Sequence, residues 1–321
     1  VGGACVSAPA GAAETDQFMA WDVVLKDSSE PLNARMNEEV EAFLERVNRR
    51  AQPLESREEL VIELYLYLFQ GLHASRIRGY VNQSPQVDRY PDRPMSFYEY
   101  QRLSIHRGLS FPYVLPMART IRIGDVYLGT DKIGHFFGFG RRYFQRYLRH
   151  REEGMEEKAA MERAIRWGIA IEESFVGKLV DGIFSHADLE ANFQGFRMAK
   201  DLCCAEPPYF VREGDLWRAA REIDLRDYVT PDFDESYNVS HYWALRKRNV
   251  LPILKEEYCP KRHSPLVEKR FARYREYEPS FSKRVIAEYF EEKGSNPQQA
   301  QSLEAICEAK TTEDNGDGQT Q

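Results

Sequence analysis

The spacing of apolar positions predicts a mostly helical chain. From Glu38 to Arg50, Val40, Phe43, Leu44 and Val47 fall on one stripe with charges elsewhere, the mark of an amphipathic helix. Arg57 to Leu72 is a second helix, set off from the first by Pro53. Its stretch Leu64-Tyr-Leu-Tyr-Leu-Phe69 is apolar on every side, so this helix is expected to run through the core. Residues 74–129 lose the period. Prolines 85, 91, 94, 112 and 116 and scattered aromatics predict a long, packed, irregular connector with one short helix near Phe97–Arg102. Ile121 to Leu128 alternates and reads as a short strand or hairpin. Helical spacing returns at Thr130–His150, with Thr130 as N-cap and Asp131 in the first turn. It continues from Glu156 to about Val180 and from Ala187 to Leu202, the latter opened by a capping-box variant at Ser185 and Asp188. Pro207-Pro208 closes that block, and Asp215–Arg221, Ser240–Leu251 and Pro265–Tyr289 carry weaker helical stripes.

The expected fold class is therefore all-α: a multi-helix bundle with a long irregular connector. The main domain spans residues 31–210, with a helical extension over 211–290. Residues 1–30 read as a leader and linker, and 291–321 as a disordered acidic tail. Hydrophobic residues at 42% supply a substantial core, but no apolar run approaches the ~18–20 residues of a membrane-spanning helix. The net charge is −7, and the tail from Glu291 contributes −5 of it through seven carboxylates and two lysines. The body is thus nearly neutral, which implies no large basic surface for nucleic acid. Arg141, Arg142, Arg146, Arg149 and Arg151 near one helix end either complement its dipole or form a patch for phosphate or anionic lipid. Asp314-Asn-Gly-Asp-Gly318 is half of a calcium loop and lacks the closing Glu.

The cysteines bear on location. Gly3-Ala4-Cys5 resembles the end of a bacterial lipobox, which implies lipidation of Cys5, export, and attachment to a membrane surface in the periplasm or at the outer membrane. Four cysteines remain, an even number that permits two disulfides in an oxidising compartment. The expected bridges link Cys203 and Cys204 to Cys259 and Cys307. No Cys-x-x-Cys is present, so a cysteine zinc site is not expected.

Three stretches hold the candidate chemistry. In Gly129-Thr-Asp131-Lys132-Ile-Gly134-His135-Phe136-Phe-Gly138, Asp131 and His135 are four apart and share a helix face, and Gly134 and Gly138 leave room for another helix. Ile171-Glu172-Glu173-Ser174 puts two carboxylates in an apolar helix. Ser185-His-Ala-Asp188 leads to Asn192 on the same face, then Gly195.

The order Asp-Lys-x-x-His-Phe, then Glu, then Asp-x-x-x-Asn-x-x-Gly resembles VanZ-like proteins and the small predicted lipoproteins of the YfiM type, over Thr130 to Gly195. The resemblance implies a shared helical arrangement with a polar cluster, and it favours Glu172 over Glu173 because Ile171 precedes it. VanZ-like helices are hydrophobic and membrane-embedded, whereas these carry Arg and Glu, so the resemblance implies a soluble, envelope-located relative.

Two readings of Asp131, His135, Glu172 or Glu173, Asp188 and Asn192 compete. One is a buried hydrogen-bond network that pins three helices in register. The other is a hydrolase centre, with His135 as a carboxylate-paired base or with a divalent metal on His135, Glu172 and Asp188. A third resemblance, of Glu172-Glu173-Ser174 to the Glu-Ser of lysozyme-like lytic enzymes, lacks that family's Gly-x-Met-Gln stretch. A cluster open to a pocket favours chemistry, and one sealed between helices favours the network.

Overall fold

A computed structural model describes residues 14–70, 75–93, 95–108, 117–176, 182–295 and 301–309. Cys5 and the Asp314–Gly318 stretch lie outside the described residues. The fold is mainly helical, as the apolar stripes predict, but among the described residues four small sheets accompany the helices, so all-α is only approximate.

The first helices follow the apolar stripes, though the first starts at Ser29 rather than at the expected Glu38. Helix α1 (Ser29–Asn48) buries Val40, Phe43, Leu44 and Val47. Helix α2 (Arg57–Leu68) starts where the Ser56 hydroxyl accepts from the Glu59 amide, and it buries Leu60, Val61, Leu64, Tyr65 and Leu68. The connector is more ordered than expected. It holds α3 (Arg76–Gln83), capped by Ser75, a short strand β2 (Arg89–Tyr90), and α4 (Phe97–Leu103). The alternating stretch forms a hairpin of β4 (Thr120–Ile123) and β5 (Val126–Gly129), and β2 pairs with β4.

The chain's beginning is the largest correction to the expected layout. Residues 14–28 are not a linker. β1 (Glu14–Thr15) pairs in parallel with β3 (Met117–Ala118), and Phe18 and Trp21 are buried in the main core. Apolar side chains from Phe18 to Ile306 form one continuous cluster, so the segment expected as an extension shares its core with the main helices.

After β5 the chain enters α5 (Lys132–Gly134), a π turn (His135–Phe139) and α6 (Gly140–Glu152) without leaving the helical axis. Helix α7 (Glu157–Ile171) likewise runs into a π turn at Glu172–Val176. A short strand β6 (Ile183–Phe184) precedes α8 (His186–Cys204). Helix α8 is the central element: 15 of its 19 residues are buried, and it touches α2, α5, α6 and α7. Its closest crossing is through glycine. A Cβ on Gly195 would stand 1.8 Å from the Phe136 carbonyl oxygen, and one on Gly140 would stand 2.7 Å from the Gly195 carbonyl carbon. The Tyr65 hydroxyl donates to the Gly195 carbonyl at 2.6 Å, which ties α2 to the same crossing. Gly134 and Gly138, expected to receive a helix, face the Phe69 ring instead.

The second half departs further. The helix expected at Asp215–Arg221 is a hairpin of β7 (Phe210–Glu213) and β8 (Leu216–Ala219), turned at Gly214 with φ +63°. Strand β9 (His241–Tyr242) pairs with β6, and α9 (Ala244–Ile253) follows. The long helix expected from Pro265 is two, α10 (Pro265–Tyr274) and α11 (Phe281–Glu292), with Pro279 between them and Ser280 capping the second. The tail expected to be disordered includes α12 (Leu303–Glu308), whose Leu303 and Ile306 are buried.

The disulfide pairing also differs from expectation. Cys203 bonds Cys204, and Cys259 bonds Cys307. The reason lies in the packing: α12 docks on the Leu254–Tyr258 turn, which delivers Cys307 to Cys259, while the other two cysteines adjoin at the end of α8.

Candidate functional site

The polar cluster assembles around Lys132. Its ammonium is fully buried and donates to Asp131 Oδ2 at 2.8 Å, Asp188 Oδ1 at 2.6 Å and Glu235 Oε1 at 2.5 Å. Asp131 precedes α5, Asp188 sits in the first turn of α8, and Glu235 lies in the loop after the turn Pro231–Phe233. His135 opens the π turn and faces α8. Its Nε2 is 3.3 Å from Asp188 Oδ2 and its Nδ1 is 3.2 Å from Asn192 Oδ1. Both ring nitrogens thus face oxygens, and the ring stacks on Phe139 with centroids 5.5 Å apart. The N-terminal strand closes the cluster, where the Thr15 hydroxyl donates to Asp131 Oδ1 at 2.5 Å. Gly129 makes that bond possible, because a Cβ there would stand 2.0 Å from the Thr15 hydroxyl and 2.1 Å from Asp131 Oδ1.

A second tier holds the first. The Ser185 hydroxyl accepts from the Asp188 amide at 3.1 Å and donates to Glu235 Oε1 at 3.3 Å. The Ser185 amide in turn donates to Glu172 Oε1 at 3.2 Å.

The electrostatics follow from burial. Glu14, Asp131, Asp188 and Glu235 are all buried beside one ammonium, an excess of acid that water does not screen. Burial, with Glu235 and Asp188 nearby, pushes the Glu14 carboxyl well above the usual range. Burial also pushes Glu235 up to about 8; Asp131 and Asp188 add to this and Lys132 opposes it. Asp131 goes the other way: burial raises it, but Lys132 and the Thr15 hydroxyl outweigh burial and hold it below the ordinary value. Burial would discharge Lys132, yet its surrounding carboxylates raise it well above the ordinary lysine value. Burial therefore favours a retained proton on Glu235 at neutral pH and pushes Glu14 in the same direction, while the Lys132 ammonium keeps its charge beside Asp131.

No protein family, curated protein or solved structure matches this chain.

The structure brings together four of the residues singled out from sequence, Asp131, His135, Asp188 and Asn192, and links Glu172 to them through Ser185. Glu173 is engaged elsewhere, accepting from the Tyr289 hydroxyl at 2.6 Å and from Lys293 at 2.7 Å. Sequence reasoning missed Lys132, Glu235, Glu14 and Thr15. Lys132 was visible inside the motif, and its place beside Asp131 on an otherwise apolar helix start was the available signal. The other three sit in short strands and loops with no periodicity to mark them.

The arrangement constrains what the cluster can do. All three Lys132 protons are used, and both Asp188 oxygens are taken by Lys132 and His135. Glu14, Asp131 and Glu235 offer oxygens within 4.8 Å of one another, a spacing that suits a cation, but the Lys132 ammonium already bonds two of the three. A divalent ion on His135, Glu172 and Asp188 would have to displace the bonds those groups make with each other, with Lys132 and with the Ser185 amide.

Proposed function

We propose that this is an exported cell-envelope protein, held at a membrane surface through Cys5, in which the Lys132 cluster is a structural hub rather than a reaction centre. The carrying observation is the burial of the Lys132 ammonium inside three carboxylates with no proton left to donate. A catalytic group needs reach to a polar substrate, whereas Lys132 is fully buried and the cavity it borders, of about 40 Å³, is otherwise lined by apolar side chains such as Leu32, Leu128 and Phe136. The envelope location is supported by the lipobox-like start, by the likeness of the Thr130–Gly195 pattern to VanZ-like proteins, and by four cysteines placed in two bonded pairs. The hub has a clear task, because it joins residues from position 15 to position 235 at one point.

The test separates hub from metal centre. Lys132→Met should lower unfolding free energy by about 3–5 kcal/mol, the usual cost of removing one partner from a buried ion pair. A chelator should leave the native unfolding midpoint unchanged. A stoichiometric divalent ion in the purified protein, absent from a His135→Ala variant that still folds, would overturn the hub reading in favour of the metal-dependent hydrolase.

A further inference from the structure

A second polar site lies away from the hub, in a cleft of about 340 Å³ between the β4–β5 hairpin, α10 and the segment at Val23. Leu266, Lys269, Arg270 and Arg273 line it from α10. Those positions are i, i+3, i+4 and i+7, the spacing of a helix face turned toward a neighbour. Such a face is normally apolar, yet here three of its four residues are cations. Arg122 adds a fourth from the hairpin, and Asp125 is the one carboxylate among the lining residues.

The charges are unevenly matched. Asp125 is shared by Arg122, at 3.4 Å, and Arg273. Among the described residues, no ion pair reaches Lys269 or Arg270. Arg270 is buried and rigidly held. Its guanidinium lies 3.6 Å from the Tyr127 ring centroid, and its Nη2 donates to the Ala20 and Val23 carbonyls at 3.1 and 3.4 Å. Its Nη1 is buried and has no partner among the described residues. On its inner side Arg270 favours the charged form of Asp234, whose carboxyl burial pushes up. An unmet guanidinium proton on a residue that lines a basic cleft is costly unless an acceptor is supplied, and an anion in that cleft is a source of one. The cleft mouth is apolar: Val24 is 68% exposed and Leu266 41%.

We infer that this cleft binds a phosphate group, with Arg270, Lys269 and Arg273 as its ligands. The chemistry fits a compact tetrahedral anion, because guanidinium forks and an ammonium line one cleft with a single carboxylate among them. Two sources share that chemistry, free phosphate and a lipid headgroup, and the apolar lips at Val24 and Leu266 suit the second. The inference is independent of the hub reading, since none of these residues touches Lys132.

The test uses the full chain carrying Cys5→Ser, so that no lipid anchor contributes to vesicle binding. Equilibrium dialysis with radiolabelled inorganic phosphate and co-sedimentation with vesicles of phosphatidylglycerol and phosphatidylcholine are run together at 0.15 M salt. Saturable phosphate binding assigns the free anion. Binding to the mixed vesicles but not to pure phosphatidylcholine, with no phosphate uptake, assigns the headgroup. In either case Lys269→Glu, an exposed position whose change leaves the fold intact, should weaken binding about tenfold or more. Arg270→Gln should abolish binding where it folds, and Lys269→Glu with Arg273→Glu supplies the answer where it does not. No binding of the Cys5→Ser chain to either probe, or binding unchanged in the double variant, would overturn the assignment.

Discussion

A single carboxyl gives the sharpest consequence of the hub. Glu235 retains its proton in the folded protein up to about pH 8, because burial disfavours its charge. The unfolded chain releases that proton near the ordinary glutamate value, about 4.3. Between those limits the folded state binds the extra proton, so stability falls as pH rises and is fully present only below the unfolded value. Unfolding free energies from urea titrations at pH 5 to 9 should therefore decline, by up to about 1.4 kcal/mol per pH unit from this group. Glu235→Gln, which keeps the shape and loses the titration, should flatten the decline, and an unchanged slope would contradict the assignment. The residue scale is also where the sequence was most and least legible. Asp131, His135, Asp188 and Asn192 could be paired because a spacing of four puts side chains on one helix face. Lys132 was passed over because a lysine so seldom lies wholly inside a protein. Glu14 and Glu235 reach the same point through strand and loop geometry that no periodicity encodes.

At the scale of elements, the crossing of α8 over α6 rests on the absence of side chains at Gly140 and Gly195. Gly195→Ala would drive a methyl group into the Phe136 carbonyl, and backbone cannot step aside as a flexible side chain can. The expected loss is about 3 kcal/mol or more, read from denaturant unfolding, and a loss under about 1 kcal/mol would mean the helices can separate freely. The elements themselves were legible wherever burial imposed a stripe, as in α1, α2 and α8. They were not where local chemistry set the shape. The β7–β8 hairpin turns on Glu213-Gly214-Asp215 and is pinned from outside, with the Asn48 side chain bonding the Trp217 backbone at 2.8 and 2.9 Å. That contact lies 169 residues away in sequence, beyond the reach of any window. Likewise α3 has only Ile77 and Val81 inside, too few to stand out from a proline-rich stretch.

At the scale of the whole molecule, the Cys259–Cys307 bond closes a span of 48 residues and fastens α12 to the body. Loop-closure arguments put its contribution at about 2–4 kcal/mol. Cys307→Ser should lose that amount, and thiol titration of the unreduced, unfolded chain should find at most one free group, from Cys5. Four or more free thiols would rule out both bridges and remove a support for the envelope location.

The hub also dictates when folding can finish. Thr15 bonds Asp131 across 116 residues, and Lys132 bonds Glu235 across a further 103. Closing such long spans costs chain entropy before any contact rewards it, which slows folding. In a chain delivered from its N-terminus, Thr15, Asp131 and Lys132 are all present before Glu235 arrives. Until then a lysine destined for the interior lacks one of its three carboxylates, and the strand at residue 14 has nothing complete to close. The last contact of the hub is thus assigned to a loop three-quarters of the way along the chain.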